Sequence, residues 1–157
     1  MATVDLGGWR DHWARVLRWH ARVTSIGEGI PFGMTRDEAV DTVLAFFPVC
    51  YHLSDALARS GVKTDDEVRD FMKANDALSL CHDVCIAVKH FEITRPYRAT
   101  RSMTTTAESK VFMVGGKRPR EPVAGEHWSV KTDAGLKDMF DLADECVAGW
   151  RTYLPLR

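Results

Sequence analysis

Nothing in this chain resembles a membrane span or an export signal. No apolar run in its 157 residues approaches the roughly 18 that a bilayer crossing needs. The first residues, MATVDLGGWRDHW, lack the basic-then-apolar order of a secretory leader. The expected location is therefore the cytoplasm, with no membrane partner and with the four cysteines as reduced thiols. No sign of charge dominates either. Twenty-one Lys and Arg stand against 22 Asp and Glu, and the net charge of −1 argues against a generic polyanion binder. Glycine-rich phosphate loops and serine-nucleophile elbows are absent, and Gly115-Gly116 reads as a turn. The cysteines lack the closely spaced C-x2-C pairs of structural zinc sites. Internal repeats and low-complexity stretches are missing too.

What is present is ordinary globular composition, 45% hydrophobic and 27% charged. The length suits one domain over residues 1–157, burying about 68–70% of the surface its unfolded chain exposes. The charge is unevenly placed. From Arg95 to Lys131 there are eight basic and three acidic residues, so a segment of +5 sits on a body of −6. Lys117, Arg118 and Arg120 in that segment are candidates for contact with phosphate or an acidic partner; the plainer reading is a solvated hairpin.

Helical periodicity dominates both ends. Leu6, Trp9, Trp13, Val16, His20 and Val23 form one stripe, so a first helix is expected over about Leu6 to Val23, broken by Gly27 and Gly29. Thr35 with Glu38 makes a capping box for a second helix. Its stripe is Val40, Val43, Leu44, Phe47, Cys50, Leu53 and Leu57, kinked or split by Pro48 and closed by Gly61. Thr64 with Glu67 starts a third helix. A straight run from there into Leu78–Phe91 would set Val68, Phe71 and Met72 opposite Leu80, Val84 and Val88, so a break is predicted near Asn75–Asp76, with one of the two capping the next helix.

Residues 101–106 and 110–114, separated by 107–109, read as a hairpin. A third short strand is predicted over His127–Lys131, and a last helix over about Asp133 to Tyr153, with Leu136, Met139, Phe140, Ala143, Cys146, Val147, Trp150 and Leu154 on its stripe. The expected fold is mainly α: a four- to five-helix bundle with a small β insertion, about residues 97–131, before the C-terminal helix.

The densest run of reactive side chains is Leu78–Phe91, LSLCHDVCIAVKHF. Cys81 and Cys85 are expected at the edge of its apolar side. On the polar side Asp76, Asp83 and His90 form one row, and Asn75, His82 and Lys89 another. His52 and Asp55, at i and i+3 after Pro48, are the best neighbours to complete a groove. In one reading this groove binds or cleaves a phosphodiester, with His90 as acid or base, Lys89 on phosphate and Asp83 orienting an imidazole. The plainer reading is a hydrogen-bonded polar seam.

Cys50, Cys81, Cys85 and Cys146 could meet as four thiols from different stripes, but buried cysteine more often packs as a small hydrophobe, so no metal or other cofactor is expected. Arg15-x4-His20 has a ribonuclease-like spacing, but His20 lies on the apolar stripe and reads as a core-edge histidine. Trp9, Trp13 and Trp150 read as core, and Trp19, off the stripe, as a contact surface if exposed.

Three pieces carry a resemblance: Tyr51-His52-Leu53-x-Asp55, Cys81-x-Asp83 with Lys89-His90, and Cys146-x3-Trp150 ahead of Leu154. Together they resemble small bacterial helical proteins similar to HEPN domains, the helical nucleotide-binding domains of prokaryotic toxin and defence systems. Active HEPN ribonucleases carry Arg-x4–6-His late in the bundle and meet as homodimers. In this chain Arg15 and His20 have that spacing, but in the first helix. The resemblance implies a helical bundle and self-association more than it implies catalysis.

These readings converge on a non-catalytic binding or interaction module. Its expected partner is a second copy or another protein, with nucleic acid as a further class. Its predicted surface comprises His52, Asp55, His82, Asp83, Lys89 and His90. The alternative is a metal-independent ribonuclease, or another nucleotide-acting enzyme, using the same groove.

Overall fold

A computed structural model describes residues 7–90, 107–108, 128–132 and 135–156. Its helices are α1 (Trp9–Glu28), α2 (Arg36–Tyr51), α3 (Leu53–Arg59), α4 (Asp65–Ala74), α5 (Asp76–His90) and α6 (Met139–Tyr153). Three short strands precede α6: β1 (Ala107–Glu108), β2 (Ser129–Thr132) and β3 (Gly135–Asp138). The fold is thus a helical bundle with a small antiparallel sheet before the last helix, as the sequence leads one to expect.

The two capping boxes form as their spacing predicts. Glu38 Oε2 accepts the Thr35 backbone N–H at 2.7 Å, while Thr35 Oγ1 accepts the Glu38 N–H at 3.2 Å. Thr64 and Glu67 repeat the pattern at the same distances. The threonine backbone N–H, then the threonine hydroxyl, hold both glutamates below their ordinary carboxyl value. A carboxyl whose folded value is depressed stabilises above its unfolded value and loses that contribution as pH falls through the folded one. The first turns of α2 and α4 should therefore loosen in acid, ahead of helices capped without a carboxylate. Amide exchange measured across an acid titration should show protection lost there first. At neutral pH, Thr35→Ala or Thr64→Ala should each cost about 1 kcal/mol in denaturant unfolding.

The break between α4 and α5 also falls where predicted. Asn75 ends α4 in an extended conformation and caps α5, its Oδ1 accepting the Leu78 N–H at 3.0 Å. Gly149 of α6 packs against this corner, and a Cβ there would lie 2.8 Å from Asn75 Nδ2. Only a glycine permits so close an approach.

Three boundaries differ from expectation, and the expected split of the second helix falls at His52, just after Pro48. Helix α1 runs through Gly27 to Glu28, because Ile26 is buried and the bare Gly27 admits the Phe140 ring; a Cβ there would stand 2.9 Å from it. Helix α2 passes Pro48 and divides at His52. The proline removes one hydrogen bond, but its carbonyl still accepts the His52 N–H at 3.0 Å. The buried face of α2 is Ala39, Val43, Phe46, Phe47 and Cys50, with Val40 and Leu44 only half-buried.

The last helix starts at Met139 rather than Asp133. Asp138 caps it by accepting the Phe140 and Asp141 N–H groups at 2.8 and 2.9 Å. Leu136 therefore leaves the helical stripe and stands on β3, 61% exposed. Finally, Ala107 and Glu108, expected to separate two strands, pair with Val130 and Ser129 of β2, which in turn pairs with β3. The third predicted strand is β2, which starts two residues later and ends one residue later than expected. The proposed hairpin segments 101–106 and 110–114, with Lys117, Arg118 and Arg120, lie outside the described residues.

The core lies where α1, α2, α5 and α6 meet. Trp150, Phe46, Phe47 and Leu142 are fully buried there, and Leu53, Leu57, Met72 and Leu78 extend the same core toward α3 and α4.

Candidate functional site

The predicted groove divides into a buried half and an exposed half. On α5, Leu78, Cys81, His82, Asp83, Val84 and Cys85 are all buried. His82 and Asp83 were expected on an open polar face, but α2, α4 and α6 all pack on this helix. The two side chains pair with each other instead: His82 Nδ1 lies 3.0 Å from Asp83 Oδ1, with 3% and 1% of the two side chains exposed. Asp83 Oδ2 has no hydrogen-bond partner among the described residues. Lys89 and His90 belong to the last turn of α5, and their side chains lie outside the described residues. The neighbouring pair, Cys81 and Cys85, is buried too rather than set at an edge.

Tyr51 links the two halves. Its ring meets His82 edge-on, with centroids 5.0 Å apart, and lies 5.3 Å from His52. His52 pairs with Asp55 through Nδ1 at 2.9 Å, and both side chains are about half exposed. This exposed pair lines a cleft of about 540 Å³ where the start of α1 meets the α2–α3 corner. Gly7, Gly8, His12, Arg59 and Ser60 complete its wall.

His12 and Arg59 are additions that the sequence reading missed. A signal for Arg59 existed: His52, Asp55 and Arg59 fall at i, i+3 and i+7 on one helical face. His12, three residues after the buried Trp9, sits at the margin of the α1 stripe. Its Nε2 is 2.8 Å from the Val49 carbonyl, which can only accept, so Nε2 carries the proton.

The cleft's chemistry follows from these parts. With Asp55 accepting from Nδ1, His52 keeps Nε2 for a ligand. Arg59 supplies a planar fork suited to phosphate or carboxylate. The positive end of α1 opens beside Gly8.

A second cluster lies in the core. Cys50 of α2, Cys81 of α5 and Cys146 of α6 have sulfurs within 4.8 Å of one another, all fully buried. Cys85 stands outside this group. Cys81 points its thiol at the Phe47 carbonyl at 3.5 Å, and Cys146 at the Ala77 carbonyl at 3.4 Å. The other two thiols of the cluster, followed by burial, push Cys81 well above the ordinary thiol value. Burial, then Cys50, do the same to Cys146. Burial opposes ionisation of Cys50 as well, but the adjoining Cys146, Cys81 and Trp150 groups, with the charge of His20, outweigh it and hold Cys50 low. The Trp150 indole N–H is buried beside this sulfur without a partner of ordinary hydrogen-bond geometry.

His20 behaves as a core-edge histidine, its Nε2 2.7 Å from Asp144 Oδ1 and its side chain 22% exposed. Trp19 is half-buried, with Arg22 4.8 Å over its ring, and is no free contact surface. No protein-family model, no curated protein and no solved structure matches the chain.

Proposed function

We propose that this protein is a non-catalytic binding module that holds a phosphate-bearing ligand, such as a nucleotide or a short RNA, in the cleft at the α2–α3 corner. The observation that carries this reading is the cleft itself. Arg59, His52 and the N-terminus of α1 converge on one solvent-open space, whereas His82 and Asp83 are enclosed. Enclosure of that pair weakens a catalytic reading that needs Asp83 at a reacting atom. Association with a second copy, and with a toxin or defence system, follows from the HEPN-like resemblance and belongs to the same proposal.

One observation favours the enzymatic alternative. A carboxylate holding an exposed imidazole by Nδ1 is how general bases are oriented, and His52–Asp55 has that form.

A single experiment separates the two. Fluorescently labelled RNA oligonucleotides and nucleotides are titrated with the full chain without metal, and the RNA is then run on a gel. The binding module predicts saturable, salt-sensitive binding of intact RNA or nucleotide. Arg59→Ala should weaken it about tenfold or more, the scale of one lost charge-assisted hydrogen bond. Cleavage that disappears in His52→Ala would establish the enzyme instead. Absence of binding would overturn the phosphate-ligand reading.

A further inference from the structure

We propose that Cys50, Cys81 and Cys146 form a binding site for a trivalent thiophilic centre of the arsenite class. The three sulfurs come from three different helices and already lie within 4.8 Å of one another. A pyramidal centre with sulfur bonds of about 2.3 Å spaces its three ligands about 3.4 Å apart. Closing the site therefore asks at most about 1.4 Å of movement from each pair.

Charge decides which centre fits. The site is fully buried, and a net charge left there is costly. Three thiolates around a monovalent cation leave −2, and around a divalent cation −1. Zinc also prefers a fourth ligand, and the described residues bring only three donors together. A trivalent centre leaves no charge. The reaction is As(OH)3 with three cysteine thiols, giving As(S-Cys)3 and three waters. Three S–H and three As–O bonds break, three As–S bonds form, and the oxidation state of arsenic does not change. The lone pair on arsenic takes the place of a fourth ligand, so the pyramidal product needs nothing further from the protein.

Trp150 is the second observation that points to a ligand. Its indole N–H is fully buried beside Cys50 and makes no hydrogen bond of ordinary geometry. A sulfur bonded to an electropositive centre is a better acceptor than a thiol, so the site would satisfy that donor. Entry requires local opening of the bundle, which a small uncharged hydroxide such as As(OH)3 can exploit without shedding a hydration shell.

The test uses the reduced full chain and sodium arsenite, read by native mass spectrometry and by thermal unfolding. The expected result is one arsenic per chain with three protons displaced, and a raised Tm, because binding favours the folded state. Cys85→Ala, outside the cluster, should bind as the wild type does. Changing a partner that merely supports a ligand costs metal sites about 10–100-fold, so Cys50→Ala, Cys81→Ala or Cys146→Ala should each weaken binding at least about 100-fold. Should those variants fold poorly, X-ray absorption of the wild-type complex settles the ligand set, with three sulfur neighbours and no oxygen expected. A lowered Tm would place the thiols' affinity in the unfolded chain and overturn the proposal. So would two sulfurs at arsenic, no binding, or a larger rise in Tm with zinc than with arsenite.

Discussion

Replacing His82 by leucine will destabilise the fold by about 3–5 kcal/mol, a large share of the 5–15 kcal/mol that a domain of this size has. The reason lies with its neighbour. Asp83 is 1% exposed, and one of its carboxylate oxygens already lacks a hydrogen-bond partner among the described residues. The other is held by His82 Nδ1 at 3.0 Å. Leucine fills the imidazole's space but cannot donate, so the carboxylate stays buried without the hydrogen bond that offset its lost hydration. The pair's own net worth is a different quantity. Removing both polar groups also removes their desolvation penalty, so the double variant His82→Leu, Asp83→Leu should fall within about 1–2 kcal/mol of wild type. Urea unfolding of the wild type, both single variants and the double variant gives the coupling directly. A cost below about 1 kcal/mol for His82→Leu would mean that the carboxylate reaches water or another donor, and that the α5 turn is more open than its burial indicates.

The same turn shows what could and could not be seen in the sequence. Helical spacing identified α5, and the angular conflict between Val68–Met72 and Leu80–Val88 located the break at Asn75. Both are local properties of a helix, and period alone reveals them. That His82 and Asp83 would be buried could not be read the same way. Polar side chains adjacent on a helix mark a solvent face unless they satisfy each other, and whether they do depends on three helices closing around them.

Tertiary contacts also moved the start of α6. Leu136 has helical spacing to Met139 and Phe140, so period favoured one long helix. The chain instead turns at Gly135, with φ +115, pairs β3 with β2, and gives the Met139 N–H to the Trp128 carbonyl at 2.9 Å. At the candidate site, His52 and Asp55 were legible from their i, i+3 spacing. The contribution of His12 was not, since it depends on how α1 crosses the α2–α3 corner. The meeting of Cys50, Cys81 and Cys146 likewise depends on the relative registers of three helices, which no single stripe encodes.

Trp150 should be the most costly single side chain to truncate on α6. It is fully buried in the core, its ring 5.9 Å from Phe71 and 6.2 Å from Tyr153. Trp150→Ala removes a large aromatic from a close-packed interior and leaves a cavity that flanking helices fill only in part, at a cost of about 3–5 kcal/mol. Trp150→Phe isolates a second quantity. It keeps much of the apolar volume and deletes an N–H that has no partner of ordinary geometry, so the loss should be markedly smaller, on the order of 1–2 kcal/mol. Denaturant midpoints with unchanged slopes would confirm that both effects lie in the folded state. The comparison also reaches the thiols. If the indole seals the Cys50–Cys81–Cys146 cluster, a thiol reagent added under native conditions should modify Trp150→Ala much faster than Trp150→Phe, because only the alanine variant opens space beside Cys50. Equal labelling rates in the two variants would show instead that the reagent reaches the thiols by opening of the whole bundle, and that Trp150 holds α6 in place without guarding the cluster.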